Sequence, residues 1–181
     1  MPDLRSAPEL DVIEWLGAPA PITLAGLRGR VVVIEAFQML CPGCVQVGLP
    51  QAARVRETFA PDDVVVLGLH TVFEHHEAQG TRVALEAFLH EYRYAFPVGI
   101  DRPGASGGIP RTMAAYAMQG TPTLVLIDRQ GRLRRRVFGH IQDLRLGAEI
   151  EALTGETDAT LVGEPELGEA APGCTIAGCA P

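Results

Sequence analysis

Three stretches of the chain are almost wholly apolar and rich in β-branched residues: Val31-Val-Val-Ile-Glu-Ala-Phe37, Val64-Val-Val-Leu-Gly-Leu69, and Pro122 to Asp128. Apolar runs this short predict strands buried on both faces of a sheet. Between and after them, apolar residues recur at helical spacing. Val45, Leu49, Ala52, Val55 and Phe59 mark a helix from Pro42 to about Phe59, and Pro50, inside the pattern, is predicted to kink it. Leu85, Phe88, Leu89 and Tyr92 mark a second helix over 81–92, and Leu146, Ile150 and Leu153 a last one over 141–153. Residues 96–100 suit a short strand and 113–118 a short helical piece. The turn Asp128-Arg-Gln-Gly131 leads into a hairpin partner over 133–138. The order β-α-β-α-(β)-β-β-α opens with parallel βαβ pairing and closes with an antiparallel hairpin. It predicts an α/β fold, a mixed central sheet flanked by helices on both faces.

With 181 residues, 47% of them hydrophobic, the chain can bury a full core as one domain. No apolar run approaches the ~18 residues of a membrane helix, and a net charge of −7 speaks against a nucleic-acid partner. Every basic residue is an arginine, and Lys and Asn are absent. Lysine Schiff-base chemistry, a Walker P-loop and a Cys-His-Asn triad are thereby excluded. No basic residue follows Arg145, whereas Glu156, Asp158, Glu164, Glu166 and Glu169 lie in a stretch rich in Gly, Pro and Ala. The expected organisation is an N-terminal extension (1–21), a folded domain (22–154) and a flexible acidic tail (155–181). The first residues lack a basic segment followed by an apolar one, so no signal peptide and a cytoplasmic setting are expected. Structural disulfides are rare in such a setting, which directs attention to the four cysteines.

Cys41-Pro42-Gly43-Cys44 falls where the first predicted strand ends and the first helix begins. A helix N-terminus presents unpaired N–H groups and about half a positive charge, both of which stabilise a thiolate. Pro42 suits the first turn, where its missing N–H costs nothing. Cys41 is the expected exposed attacker and Cys44, one turn along, the buried resolver. A zinc half-site is the other reading of a C-x-x-C pair, although no second pair follows at finger spacing.

These residues, with Gly120-Thr121-Pro122-Thr123 before a strand and the hairpin Leu126-Ile-Asp-Arg-Gln-Gly-Arg132, resemble the thioredoxin superfamily. The likeness is to its TlpA-like/redoxin (AhpC/TSA-related) branch and runs from about Ile22 to Leu153. It implies a thioredoxin-like fold and a thiol–disulfide oxidoreductase with an antioxidant role and no cofactor. It also implies a cis Pro122 beside the dithiol; an ordinary trans proline opening a strand is the plainer alternative. Thr121, Pro42 and Gly43 would then contact substrate. The superfamily carries a buried acid at the position of Glu35. Buried, that carboxyl would have a raised pKa and could relay the resolving thiol's proton; at a solvated strand end it would do neither. The sequence also departs from the family. Met39-Leu40 replaces the usual aromatic lead into the motif, and Pro50 lies nine residues past Cys41, one further than the family norm.

Other signals are weaker. His70, His75 and His76 follow the second strand, but no carboxylate or cysteine completes a ligand spacing, so no metal is expected. Arg132, Arg134, Arg135 and Arg136 suit an edge strand that resists pairing with other sheets, or else a basic patch. The segment 101–110 is a Gly/Pro-punctuated loop without an assignable place. Cys174 and Cys179, four residues apart in the tail, could close a small ring and form a second redox pair within reach of Cys41. Expected partners are protein or small-molecule disulfides and a reductant such as a thioredoxin/reductase system, with neither nucleic acid nor membrane. A peroxiredoxin-like thiol peroxidase is the alternative, but Gln38 holds the place where peroxide chemistry uses threonine. A metal-handling or partner-binding module is a third reading.

Overall fold

The computed structural model describes residues 5–156. Its strands are β1 (Val12–Leu16), β2 (Val31–Phe37), β3 (Val64–His70), β4 (Val98–Asp101), β5 (Thr123–Ile127) and β6 (Leu133–Phe138). They form one six-stranded sheet in the order β1-β4-β3-β2-β5-β6. β2 pairs in parallel with β3 and β3 with β4, whereas β1/β4, β2/β5 and β5/β6 are antiparallel. The three apolar runs are the three innermost strands apart from β4, and β2 is buried along its whole length. Its side chains alternate between two cores. Val31, Val33 and Phe37 pack with α1 (Leu49–Thr58), α3 (Arg82–Tyr92) and α5 (Asp143–Gly155). Val32, Ile34 and Ala36 pack on the other face with Met113 of α4 (Arg111–Ala115), Tyr116 and the N-terminal Ala7 and Leu10. This is the thioredoxin-like α/β fold that the sequence resemblance implies.

The predicted helix over 42–59 is present but is not a single α-helix. After a first turn at 42–43 it widens into a π segment, Cys44–Gly48, in which the Leu49 N–H reaches back to the Cys44 carbonyl; α1 follows. Pro50 has no N–H to return to the preceding turn, and the expected kink takes the form of this π-bulge. The wide turn holds one more residue than an α-turn, matching the additional residue between Cys41 and Pro50.

β1 has no counterpart among the elements that the hydrophobic pattern predicts. It is a five-residue edge strand hydrogen-bonded on one side only, so Val12-Ile-Glu-Trp-Leu16 shows neither a buried run nor clean alternation. The segment expected to be an extension (1–21) therefore contributes to the sheet. It also reaches the opposite edge, where the Ala7 N–H donates to the Gly131 carbonyl (2.9 Å) and the Leu133 N–H to that of Arg5 (3.0 Å). The arginines at 132 and 134–136 are engaged rather than free. Arg132 and Arg134 pair with Asp128, Arg134 also with Glu156, Arg135 with Glu149, and Arg136 donates to the Tyr116 carbonyl.

The loop 101–110 is anchored at its start. Asp101, buried at the end of β4, accepts from Thr71 Oγ1 (2.9 Å) and from the backbone N–H groups of Thr112 (2.8 Å) and Met113 (3.0 Å), capping α4. Burial raises its pKa even so. Asp101→Ala strands three donors and should destabilise the fold by roughly 2–3 kcal/mol, read as a lower urea midpoint at unchanged slope.

Candidate active site

The carboxyl-terminal ends of parallel strands are where loops can converge on chemistry, and Cys41 lies four residues past the end of β2. Its sulfur accepts a hydrogen bond from the Cys44 N–H at 3.3 Å, and its thiol faces the Thr121 carbonyl at 3.5 Å. The first contact is the helix N-terminus acting directly on the thiol, with a backbone dipole aimed at the sulfur. Cys41 is partly exposed, whereas Cys44 is fully buried in the core beneath α1, and both are free thiols. That burial, with the hydrogen bond to Cys41 second, pushes the Cys44 thiol far above its ordinary value. Pro42, exposed, opens the helix.

The Thr121–Pro122 peptide is cis. Its ring lies against the helix start, so a Cβ on Gly43 would stand 3.2 Å from Pro122 Cδ. The Pro122 carbonyl accepts from the Gly139 N–H (2.9 Å), holding the turn after β6 beside it. Two apolar side chains, Leu40 (55% exposed) before Cys41 and Phe138 (56%) at the end of β6, stay in solvent near this end of the sheet.

Glu35 occupies the centre of β2, opposite Gly68 on β3 and Leu124 on β5. By strand alternation it points to the same face as Val33 and Phe37, under the redox helix. It is 1% exposed, and its Oε1 has no hydrogen-bond partner. Desolvation raises its pKa to about 8.

The approach to Cys41 is pinned by residues with no recognisable motif. The Cys41 N–H donates to the Gln38 carbonyl (3.3 Å), and the Leu40 N–H to Gln79 Oε1 (3.1 Å). Gln79 Nε2 donates in turn to Gln38 Oε1 (3.1 Å) and to the Glu74 carbonyl (2.9 Å). Gln79 ends the short α2 (His76–Gln79), and both glutamines are buried. Only their burial and their hydrogen bond to each other, visible in three dimensions, mark them.

The histidines separate. His70 is buried at the end of β3 against Phe37, with ring centroids 5.3 Å apart, and desolvation lowers its pKa to about 4. His75 and His76 lie exposed at the start of α2. Among the described residues, no three His, Cys, Asp or Glu side chains converge as metal ligands. Cys174 and Cys179 lie outside the described residues. No helix among those described is long and apolar enough to cross a membrane.

A thioredoxin fold with a dithiol at the start of its first long helix defines a class, the thiol–disulfide oxidoreductases of the thioredoxin superfamily. The AhpC/TSA family matches residues 5–136, and the chain belongs to that family. A crystal structure of a thioredoxin-like superfamily protein superposes with a TM-score of 0.82 at 60% identity, covering 84% of this chain and 97% of that one. A thiol-disulfide isomerase from Corynebacterium glutamicum does so with a TM-score of 0.82 at 43% identity, over 87% of this chain and 100% of its own. Protein DipZ of Mycobacterium bovis is 31% identical over 137 residues, 74% of this chain, but the match spans only 18% of that longer protein. The thiol-disulfide oxidoreductase ResA of Bacillus cereus is 23% identical over 83% of this chain and 78% of its own length.

Two outcomes follow from the site. Gln79→Leu removes the acceptor of the Leu40 N–H and the donor to Gln38, and should slow disulfide exchange about tenfold while the cysteines still react with small alkylating agents. Glu35 gives a pH signature. Its folded pKa lies above the ordinary 4.5, so its stabilising neutral form is complete below that value and lost as pH rises through about 8. Stability measured in urea should fall between pH ~4.5 and ~8 by up to roughly 1.4 kcal/mol per unit and level off above that, and Glu35→Gln should remove that slope.

Proposed function

We propose that the chain exchanges disulfides through the Cys41/Cys44 dithiol. The observation that carries this is the pairing of a partly exposed Cys41 sulfur, hydrogen-bonded by a helix N-terminal N–H, with a buried thiol one turn along. Cys41, as thiolate, attacks one sulfur of a substrate disulfide. A mixed disulfide forms and the other substrate sulfur leaves as a thiolate that takes up a proton. Cys44 then gives its proton to the Glu35 carboxylate and attacks the Cys41 sulfur. The second substrate sulfur leaves as a thiolate that takes up a proton, Glu35 returns its own proton to solvent, and two electrons have passed from the dithiol to the substrate. A protein or low-molecular-weight dithiol, such as a thioredoxin system, restores the reduced pair; run backwards, the same steps oxidise a substrate.

Substrate would lie along Thr121 and Pro122, with Pro42 and Gly43 beneath it and the exposed Leu40 and Phe138 beside it. The peroxidase reading is disfavoured by Gln38, whose side chain is already occupied by Gln79, Glu74 and the Phe73 N–H. Cys174 and Cys179 are retained as a candidate second pair that relays electrons between Cys41 and an outside partner. Mild oxidation of Cys44→Ser protein followed by peptide mapping should trap Cys41 to one of them.

Reduction of insulin disulfides, run beside hydrogen peroxide turnover, tests the central reading. Cys41→Ser should abolish insulin reduction, Cys44→Ser should stall it at the mixed disulfide, and peroxide turnover should be slow in the unaltered chain. Peroxide consumption that outpaces disulfide reduction and survives Cys44→Ser would favour the peroxidase instead.

A further inference from the structure

Glycine at position 48 has no backbone reason to be there. Its φ of −62° and ψ of −58° are right-handed helical values open to any residue, and alanine would favour the helix over glycine. Space is what excludes a side chain. A Cβ built on Gly48 would stand 2.1 Å from Glu35 Oε1, 3.0 Å from its Cδ and 3.1 Å from Pro122 Cβ. The first distance is far inside van der Waals contact, and the obstacle is a carboxyl held in a buried strand. Gly48 and Cys44 are the two buried residues of the π segment, so the wide turn sets both on the inner side of the helix. The Glu35 Oε1 facing that glycine is also an oxygen without a hydrogen-bond partner.

We propose that Gly48 is a positioning residue for disulfide exchange: its missing side chain is the space in which the Glu35 carboxyl rests against the redox helix, beside Pro122 and on the face that Cys44 shares. The proposal rests on the proton-transfer role given to Glu35 above. A side chain at 48 turns the carboxyl aside, and the resolving thiol loses its proton acceptor although both cysteines remain.

Carbon-13 labelling of glutamate carboxyls lets Glu35 be followed directly, its resonance being the one that Glu35→Gln removes. In the unaltered chain it should titrate near pH 8. In Gly48→Ala its proton affinity should fall about tenfold or more, and the pH profile of insulin reduction should take the shape seen for Glu35→Gln. Gly147→Ala, on α5 with nothing within 4 Å of its added Cβ, should change neither. A Glu35 titration and pH profile that stay native in Gly48→Ala overturn the proposal. Should Gly48→Ala fail to fold, adding Glu35→Ala removes the obstructing carboxyl and should restore folding; failure to restore it counts equally against the proposal. If Glu35→Gln leaves the pH profile of exchange unchanged, the proton-transfer reading falls, while the titration of Glu35 in Gly48→Ala still decides whether position 48 places the carboxyl.

Discussion

An ionisable carboxyl in the middle of a strand that is covered on both faces needs neighbours that leave it room, and where they supply no counter-charge desolvation favours its neutral form. Glu35 is in that position. β2 gives it no solvent, Gly68 and Leu124 stand opposite it across the ladders, and the redox helix closes over it. The helix can do so because it widens at Cys44–Gly48. Strand, π-bulge and the cis Thr121–Pro122 peptide all meet at this one group. Burial raises the pKa of Glu35 and of the Cys44 thiol alike, so both are mainly neutral near pH 7. The proton transfer proposed for them therefore draws on the ionised fraction of Glu35, minor at pH 7 and growing towards pH 8, and it carries one buried charge throughout instead of two, which would be far more costly.

Much of this was legible in the chain. β2, β3 and β5 show as apolar runs because each is covered on both faces, and α3 shows because one stripe of it is. Cys41 and Cys44 are visible as a spacing, and Pro122 as part of a family pattern. What escaped has a common cause: its evidence is distant in sequence. β1 is defined by its ladder to β4, some ninety residues on, and not by its own residues. Gln38 and Gln79 read as ordinary polar positions until the fold folds them inward onto each other. Gly48 carried no signal of its own; only the displaced Pro50 marked this helix as a departure from the family.

The buried glutamines separate two chemistries that this family's fold can host. Peroxide reduction needs a polar side chain beside the attacking sulfur whose hydrogen-bonding capacity is open to the oxidant. Here Gln38 spends that capacity on Gln79, Glu74 and the Phe73 N–H. That occupancy is what favours the proposed disulfide exchange over peroxide reduction.

The N-terminal segment runs beneath the whole sheet. It bridges Arg132 at Ser6, hydrogen-bonds the Tyr116 hydroxyl through the Pro8 carbonyl, and ends as β1 against β4. Both edges of the sheet are thus tied by one continuous strap. On a ribosome these residues emerge well before the hairpin they bind, which is made more than a hundred residues later. The strap must therefore wait, with its partners at that edge still unmade, for nearly all of the sheet to be synthesised before these hydrogen bonds can close.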